Sequence, residues 1–315
     1  MSAHGGVDFG GTSLVSVILD ADGAVRGRSE SATGDHSRVE PIIERIAHGV
    51  EAALENASLP LEALETLGVG APGEVEPDRG IFRASPILPT WREVPLRRLL
   101  SRRLGVAVAL ENDANVALLG ELELGAARGA DPVVLLTLGT GIGGALAVGG
   151  RLVRGLAGSA GEFGHLSLDP KGPRCWCGGA GCLGLLASTT ALCADYARSI
   201  EPRAPVPVDG REVVRAYRGG SFEAAAAFDR MGAHLARGIA QISCTLAPEK
   251  VVLAGGIMEA DDVILDRTRA HLSGRDYPAS VARVEVCAGA LGSPAGAVGA
   301  ALLGAALGRA SREGA

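Results

Sequence analysis

The chain has 315 residues, with 30 Lys and Arg against 36 Asp and Glu, so its formal net charge at pH 7 is −6. A hydrophobic fraction of 47% excludes disorder over most of the length, and the chain is long enough for two domains with separate cores. The net acidity and an aromatic fraction of 3% disfavour nucleic acid as the main partner, because they offer little charge for phosphates and few rings for bases.

Neither the N-terminal sequence nor the longest uncharged stretch indicates a membrane protein. The N-terminal sequence MSAHGGVDFGG has no basic segment and carries Asp8 inside its first apolar run, so it does not resemble a secretory signal. The longest uncharged stretch, 133–150, is broken by glycines, whereas a membrane helix needs about 20 predominantly apolar residues. We therefore expect a cytoplasmic protein that does not contact a membrane.

The first part of the chain alternates between strand and helix patterns. Strands are predicted where apolar residues alternate or run continuously, at 5–9, 14–19, 24–29, 67–69 and 106–110. Helices are predicted where apolar residues share one helical face, at 39–55, 96–104 and 114–124. The proline-rich stretch 71–95 is predicted to be a surface loop.

The pattern then starts again. Further strands are predicted at 133–138, 145–148, 151–154 and 251–253. Further helices are predicted at 183–198, 211–217, 221–246 and 295–307, with a frayed tail after Arg309. Because the order strand, glycine turn, strand occurs both at the N-terminus and from residue 133, we predict two related α/β halves.

Glycine turns follow the first strand of each half. The second turn, 139–144, satisfies the dinucleotide-binding pattern G-x-G-x-x-G, but that fingerprint needs a helix directly after it. Residues 145–150 read instead as a hairpin, which disfavours a Rossmann fold. Glycine lets a phosphate approach backbone N–H groups closely, so both this turn and Gly10-Gly11-Thr12 are candidate phosphate sites. Plain hairpin turns are the alternative.

A carboxylate lies at the end of one predicted strand, and another lies shortly after the end of a second. Asp8 precedes the first glycine turn, where it could hold Mg²⁺ beside nucleotide phosphates or bond the backbone of the turn. Asp113 follows the strand at 106–110 and opens a helix, so it could accept a proton from an attacking hydroxyl or cap the helix. Its neighbour Asn112 has the donor and acceptor groups that fix a polyol. The residues alone leave both roles of each Asp open.

Three of the six cysteines cluster within eight residues. They are Cys175, Cys177 and Cys182, and they follow Glu162 and His165. In a reducing compartment such clustering favours a metal over disulfides, and three thiolates with an imidazole complete a structural zinc site. A zinc-bound His165 would keep its other ring nitrogen for a neighbour or ligand. The remaining cysteines are predicted to be core residues: Cys193, Cys244 and Cys287.

Together these segments resemble the ROK family (repressor, open reading frame, kinase). The resemblance rests on Asp8-Phe9-Gly10-Gly11-Thr12, 110–115, 139–144, 162–165, the cysteine cluster, 253–257 and 291–300. It implies the actin-like ATPase (ribonuclease H-like) fold, with two α/β domains and an interdomain cleft. We expect domains at 1–118 and 119–294, with a C-terminal helix at about 295–315 that packs back on the first. The family also contains repressors with an N-terminal DNA-binding domain, and because Asp8 comes so early we expect the kinase branch.

The resemblance also implies roles for individual residues in a sugar kinase that uses ATP and Mg²⁺. Asp113 would be the general base for the sugar 6-hydroxyl, and sugar hydroxyls would be held by Asn112, Asp113, Glu162 and His165. Structural zinc would be held by His165, Cys175, Cys177 and Cys182. ATP and Mg²⁺ would be held by Asp8, Gly10, Gly11, Thr12, Gly139, Thr140, Gly141, Gly143, Gly255 and Gly256. A homo-oligomer is expected, as is common in the family.

Three positions depart from the family pattern. Gly184 stands where the pattern C-x-E places a sugar-binding Glu, Ile87 replaces an Asn that reaches the sugar, and Ser13 replaces a Lys. Two lost sugar contacts with a retained base indicate a modified glucose. Kinases of kanosamine (3-amino-3-deoxy-glucose) from antibiotic pathways are similar to this chain in lacking a repressor domain and use a modified glucose, so kanosamine is the first candidate. The alternatives are a plain glucokinase, an N-acetyl-hexosamine kinase and a non-catalytic sugar-binding protein.

Overall fold

The computed structural model describes residues 3–200, 209–273 and 277–313. It divides the chain into two compact units. Unit 1 comprises Met1–Arg128, Arg154–Ala160 and Ser293–Ala315, and unit 2 comprises Gly129–Val153 and Gly161–Gly292. Across the described residues, no helix combines the length and the apolar character that crossing a membrane requires.

Unit 1 is built around a five-stranded mixed sheet. The strands of this unit are β1 (Ala3–Phe9), β2 (Ser13–Leu19), β3 (Val25–Ala32), β4 (Leu64–Ala71), β5 (Glu74–Glu76), β6 (Ile81–Ala84) and β7 (Ala107–Asn112). The strand order is β3-β2-β1-β4-β7, in which the first three strands are antiparallel and β1, β4 and β7 are parallel. The carboxyl ends of these three parallel strands therefore lie along one edge of the sheet.

Helices pack on this sheet. They are α1 (Val39–Asn56), α2 (Leu96–Leu104), α3 (Asp113–Leu124) and α10 (Ala295–Glu313). Helix α1 packs against β2 and β3, whereas α10 packs against β1, β4 and α3. Close approach of α10 requires glycine in β4, because a Cβ on Gly68 would lie 1.7 Å from the Ala300 carbonyl oxygen. The expected domain boundary at residue 118 falls inside α3, all of which belongs to unit 1.

Unit 2 repeats the same strand arrangement. Its strands are β8 (Val133–Leu138), β9 (Ile142–Val148), β10 (Arg151–Leu152), β11 (Lys250–Ala254) and β12 (Glu285–Ala288). The order β10-β9-β8-β11-β12 again contains three antiparallel strands followed by two that run parallel to the third. Its helices are α4 (Leu183–Ala187), α5 (Thr189–Ile200), α6 (Gly210–Arg218), α7 (Phe222–Leu246), α8 (Asp261–Ser273) and α9 (Ala279–Ala282). The predicted repetition of two related α/β halves is confirmed.

Each unit has its own hydrophobic core. In unit 1, Ile42, Ile46 and Val50 share one face of α1 and are fully buried. In unit 2, Phe228 and Leu235 of α7 are buried in the core that includes β8 and β11. The apolar spacing of the sequence located these faces because burying them is the main stabilising contribution to each unit.

Several local predictions were wrong. The proline-rich loop contains a short hairpin, in which Val75 of β5 pairs with Phe82 of β6. The helix predicted at 183–198 is two helices, because Ser188 is extended and its hydroxyl accepts a hydrogen bond from the Ala191 N–H, which starts α5. Cys244 is exposed rather than part of a core. Helix α10 continues to Glu313, and the last two residues of the range expected for it lie outside the described part of the chain.

Candidate active site

The parallel strands of unit 1 bring two carboxylates to one edge of the sheet. Asp8 near the end of β1 pairs in register with Gly70 of β4, and Gly70 pairs with Glu111 of β7. Asp113 follows two residues after Glu111 and begins α3. The two carboxylates at positions 8 and 113 are close enough for the charge of Asp113 to affect the titration of Asp8.

Asp8 has a strongly perturbed acidity. Burial raises its pKa from the ordinary 3.8 to about 7, and the negative charge of Asp113 acts in the same direction. The residue retains some accessible surface, but its carboxyl group lies against the first turn of α10: a Cβ on Gly296 would be 2.5 Å from Asp8 Oδ2. A cation bound here would offset the burial and favour the ionised carboxylate.

The structure at the start of α3 rules out one of the two roles predicted for Asp113, that of helix N-cap. Asn112, rather than Asp113, is the N-cap: its Oδ1 accepts hydrogen bonds from the N–H groups of Ala114 at 2.9 Å and Asn115 at 3.2 Å. Its Nδ2 donates to the Gly73 carbonyl at 3.0 Å. Asp113 is the first helical residue, and its Oδ1 accepts from the Ala114 N–H at 2.8 Å. The side-chain oxygen of Asn112 is therefore committed to the helix and one amide N–H to Gly73, which leaves the second amide N–H for a ligand.

The first glycine turn joins β1 to β2 and is held by its own backbone. The Gly10 N–H donates to the Ser13 carbonyl at 2.9 Å, and the Thr33 hydroxyl donates to the Gly10 carbonyl at 2.7 Å. Thr12 is exposed at the tip of the turn. Ile87 lies beside the turn, since a Cβ on Gly11 would be 2.9 Å from the Ile87 Cδ1. The residue that replaces the family's Asn is thus an apolar neighbour of this turn.

The second glycine turn is the loop of an antiparallel hairpin between β8 and β9, so the fingerprint of a Rossmann fold is excluded. Two of its N–H groups are used within the hairpin: Gly139 donates to the Gly141 carbonyl at 3.0 Å, and Gly143 donates to the Thr137 hydroxyl at 3.1 Å. The N–H groups of Thr140 and Gly141 have no hydrogen-bond partner among the described residues, and both residues are exposed. These two groups are the ones available to a phosphate.

A second pair of glycines lies at the same edge of the unit 2 sheet. Gly255 follows β11 with φ +108°, and a Cβ there would lie 2.3 Å from the Leu138 carbonyl oxygen at the end of β8. Only glycine fits this close approach in this conformation. Gly255 and Gly256 are exposed, and Gly255 lies against Leu138, the residue directly before the turn at 139–144.

The predicted zinc ligands come together. The candidate ligand atoms of His165, Cys175, Cys177 and Cys182 all lie within 4.8 Å of one another. His165 Nδ1 is 3.5 Å from Cys175 Sγ, and Cys177 Sγ is 3.7 Å from Cys182 Sγ. A tetrahedral site with Zn–S of about 2.3 Å and Zn–N of about 2.0 Å has edges of about 3.5 to 3.8 Å. The donor set and its spacing therefore fit zinc.

Short backbone contacts shape this cluster. The Cys175 N–H donates to the Gly179 carbonyl at 2.9 Å, and Ser167 forms a bridge with Cys182, so both ends of the loop are fixed. Burial raises the pKa of the Cys182 thiol to about 12, and hydrogen bonds to Cys177 and Cys175 add to the effect. A bound metal ion is what would convert such a thiol to a thiolate at neutral pH.

His165 links the cluster to Glu162. While Nδ1 faces Cys175, Nε2 lies 3.8 Å from the Glu162 carboxylate. The exposed indole of Trp176 stands edge-on to the imidazole, with ring centroids 4.8 Å apart. Ligation through Nδ1 would fix the ring and direct Nε2 towards Glu162 and any ligand held there.

The predicted site residues fall into two groups. Unit 1 carries Asp8, Gly10, Gly11, Thr12, Asn112 and Asp113. Unit 2 carries Gly139, Thr140, Gly141, Gly143, Glu162, His165, Gly255, Gly256 and the three clustered cysteines. Sequence reasoning missed the buried carboxylate of Glu111 and its partner Arg154, since nothing in the local pattern links two residues 43 positions apart.

The comparison with family models decides the affiliation, because residues 4–306 match the model described as "ROK family". The chain belongs to the ROK family. It is 36% identical over 306 residues to the glucokinase of Thermotoga maritima, covering 94% of this chain and 95% of that protein. Two solved structures share its fold and show that it is the actin-like ATPase fold.

The first of these structures is a ROK family glucokinase from Streptomyces griseus in complex with glucose and AMPPNP. It has a TM-score of 0.85 and 31% identity, and the match covers 97% of this chain and 100% of that one. The second is a ROK hexokinase from Thermus thermophilus, with a TM-score of 0.76 and 34% identity, covering 98% and 99% of the two chains.

Proposed function

We propose that this protein is an ATP- and Mg²⁺-dependent kinase that transfers the γ-phosphoryl group of ATP to the 6-hydroxyl of a hexose. The observation that carries the proposal is the pair of carboxylates Asp8 and Asp113 at one sheet edge of unit 1, beside the Gly10 to Thr12 turn. The glucokinase relatives, and the glucose and AMPPNP bound in the Streptomyces griseus structure, support sugar and ATP as the substrates.

Asp113 is the proposed general base. The sugar O6 attacks the γ-phosphorus, the bond from that phosphorus to the bridging oxygen of ADP breaks, and the hydroxyl proton passes to the Asp113 carboxylate. Asp8 holds Mg²⁺ directly or through water, and Mg²⁺ supplies charge neutralisation on the phosphates when bound. The remaining N–H of the Asn112 amide donates to a sugar hydroxyl. These residues position the sugar hydroxyl and neutralise the charge of the phosphates, which is most of what phosphoryl transfer requires.

The nucleotide sites are proposed on the glycine turns. In unit 2 the N–H groups of Thr140 and Gly141 donate to phosphate oxygens, while Gly255 and Gly256 lie along the adenosine. In unit 1 the turn at 10–12 presents Thr12 to the phosphates. The support is that the exposed N–H groups of 140 and 141 have no hydrogen-bond partner in the part of the chain that the structure describes, together with the close approach that the glycines allow.

The zinc cluster is proposed to shape the sugar site. His165 would hold the ion through Nδ1, together with the three clustered cysteines, and its Nε2 and the Glu162 carboxylate would then face the sugar hydroxyls together. The ion has no open coordination position in a Cys₃His set, so its role is structural. We also propose a homo-oligomer, a dimer or tetramer, which the family resemblance supports.

The preferred sugar is proposed to be a modified glucose, with kanosamine as the first candidate and plain glucose as the alternative. Ile87 offers no hydrogen-bonding group, and Gly184 offers no carboxylate. A Cβ at position 184 would lie 3.3 Å from the Gly164 carbonyl oxygen, a tight contact that a shift of a few tenths of an ångström would relieve. A site that lacks two polar partners for glucose hydroxyls discriminates less in favour of glucose.

Two experiments test the proposal. ADP release is measured across glucose, kanosamine, glucosamine, N-acetylglucosamine and N-acetylmannosamine. A clear preference for glucose would refute the modified sugar while leaving the kinase intact. Asp113→Asn, which keeps the shape of the side chain, is expected to lower kcat by about 10²-fold or more while calorimetry still detects sugar binding. Retained turnover in that variant would refute Asp113 as the base.

A further inference from the structure

Glu111 is a buried carboxylate that the proposed chemistry does not use. Its residue is 1% exposed, and three donors satisfy its two oxygens. Arg154 Nε donates to Oε2 at 2.6 Å, and Oε1 accepts from the Asn112 N–H and from Asn115 Nδ2, both at 3.0 Å. A buried charge is costly unless it is paired in this way, so a specific arrangement is what retains it.

The two donors on Oε1 lie on either side of Asp113. Asn112 is the residue before it, and Asn115 is two residues after it. The hydrogen bond to Glu111 is the one that the Asn115 carboxamide makes among the described residues, since its buried Oδ1 has no partner there. Turning the amide round would set that oxygen against the Glu111 carboxylate, which only accepts. Glu111 therefore fixes the turn that carries Asp113 at both of its ends.

Arg154 reaches Glu111 from a separate segment of the chain. Arg154–Ala160 belongs to unit 1, although the residues directly before and after it belong to unit 2. Besides this ion pair, the segment packs closely against unit 1 at Gly158. This residue has φ +82°, and a Cβ there would lie 2.3 Å from the Val75 carbonyl oxygen. Gly161 and Glu162 follow it directly.

We infer that Glu111 and Arg154 are positioning residues for Asp113, an inference that rests on the proposed kinase function. Neither needs to contact the substrate. The pair acts through the Asn112 backbone and the Asn115 amide, which set where the Asp113 carboxylate points. A Gln at position 111 has one acceptor oxygen and one donor group, so it cannot accept from all three donors, and the turn must shift.

Kinetics of four variants test this role: Glu111→Gln, Arg154→Met, Arg154→Lys and the double variant Glu111→Gln/Arg154→Met. The first two are expected to lower kcat by about 10- to 100-fold, because a displaced base loses its alignment with the hydroxyl. The dissociation constant of the sugar is expected to change by less than about threefold, since the pair acts on the base and not on affinity. Arg154→Lys keeps the charge without the Nε geometry and is expected to recover part of kcat.

The double variant and a control separate positioning from general destabilisation. Once one partner is lost the other has nothing to hold, so the double variant is expected to be no slower than the slower single variant. The matched control is Arg103→Met, which breaks the ion pairs of a partly exposed arginine with Glu44 and Glu51 in the same unit and is expected to leave kcat unchanged.

The role is overturned if the folded variants keep kcat within about twofold of the unmodified protein, or if the two single effects multiply in the double variant. If Glu111→Gln does not fold, the two Arg154 variants decide the question, because that side chain is 41% exposed. An unmodified protein without turnover on any hexose would refute the proposed function and this role with it. An active protein with unaffected variants would refute the role alone.

Discussion

Replacing Asp8 by Asn is expected to stabilise the protein while it removes the activity. The carboxyl group is buried, and its pKa is about 7 in the folded state against an ordinary 3.8. Between those values the folded protein holds a proton that the unfolded chain has released. The free energy of unfolding contributed by this group therefore falls as the pH rises from about 4 to 7, and the destabilisation is complete above pH 7. An amide at this position does not titrate, so the variant does not lose this part of its free energy of unfolding as the pH rises.

The magnitude follows from the two pKa values. At about 1.4 kcal/mol per unit, the titration of Asp8 lowers the free energy of unfolding, relative to its value at low pH, by roughly 4 kcal/mol at pH 8 and roughly 1.6 kcal/mol at pH 5. The difference between the two pH values is the quantity to measure, because it cancels the effect of exchanging an acid for an amide. Allowing for partial access of solvent to Asp8, we expect the variant to gain about 2 kcal/mol more at pH 8 than at pH 5.

Urea denaturation of both proteins at pH 5 and pH 8, with divalent cations removed, measures this difference. Equal m-values would show that the same surface is exposed on unfolding. An equal effect of the substitution at the two pH values would refute the reasoning, and so would a variant that is less stable at pH 8. Kinase activity of the variant is expected to fall even as stability rises, since the carboxylate is the proposed Mg²⁺ ligand.

Three further predictions concern metals and specificity. The apparent KM for Mg²⁺ is expected to fall as the pH rises through about 7, because protons compete with Mg²⁺ for Asp8; a pH-independent KM would contradict this. Metal analysis is expected to find about one zinc per chain, and less than about half an equivalent would contradict the Cys₃His assignment. Removal of the zinc by a chelator is expected to change the fluorescence of Trp176, whose ring stands against His165. Trp176→Phe is the control that loses this signal. Gly184→Glu restores the family's carboxylate and is expected to raise kcat/KM for glucose relative to an amino-hexose by about tenfold; an unchanged ratio would show that position 184 does not set the preference.

Much of the fold and the Cys/His cluster could be predicted because the signals are local. The apolar face of α1, the two hairpins with their glycine turns and the spacing of Cys175, Cys177 and Cys182 each depend on residues near one another in the chain. The dinucleotide pattern at 139–144 was rejected for a local reason as well, since a second strand rather than a helix follows it. Patterns of this kind report backbone conformation directly.

What could not be predicted depends on contacts between distant residues or on one hydrogen bond. The apolar spacing of 183–198 predicts one helix, but Ser188 is extended and its hydroxyl caps the start of α5. Asn112 and Asp113 are both good N-caps, and the geometry at the end of β7 selects Asn112. The pairing of Glu111 with Arg154 joins residues 43 positions apart, which no periodicity indicates.

The central claim is that this chain transfers a phosphoryl group from ATP to the 6-hydroxyl of a hexose. Release of ADP by the unmodified protein, measured with and without each hexose, combined with phosphorus NMR of the sugar product, tests it most directly. We expect hexose-dependent ADP release and a product phosphorylated at position 6. Hexose-independent ADP release, no ADP release with any hexose, or phosphate at another position would contradict it.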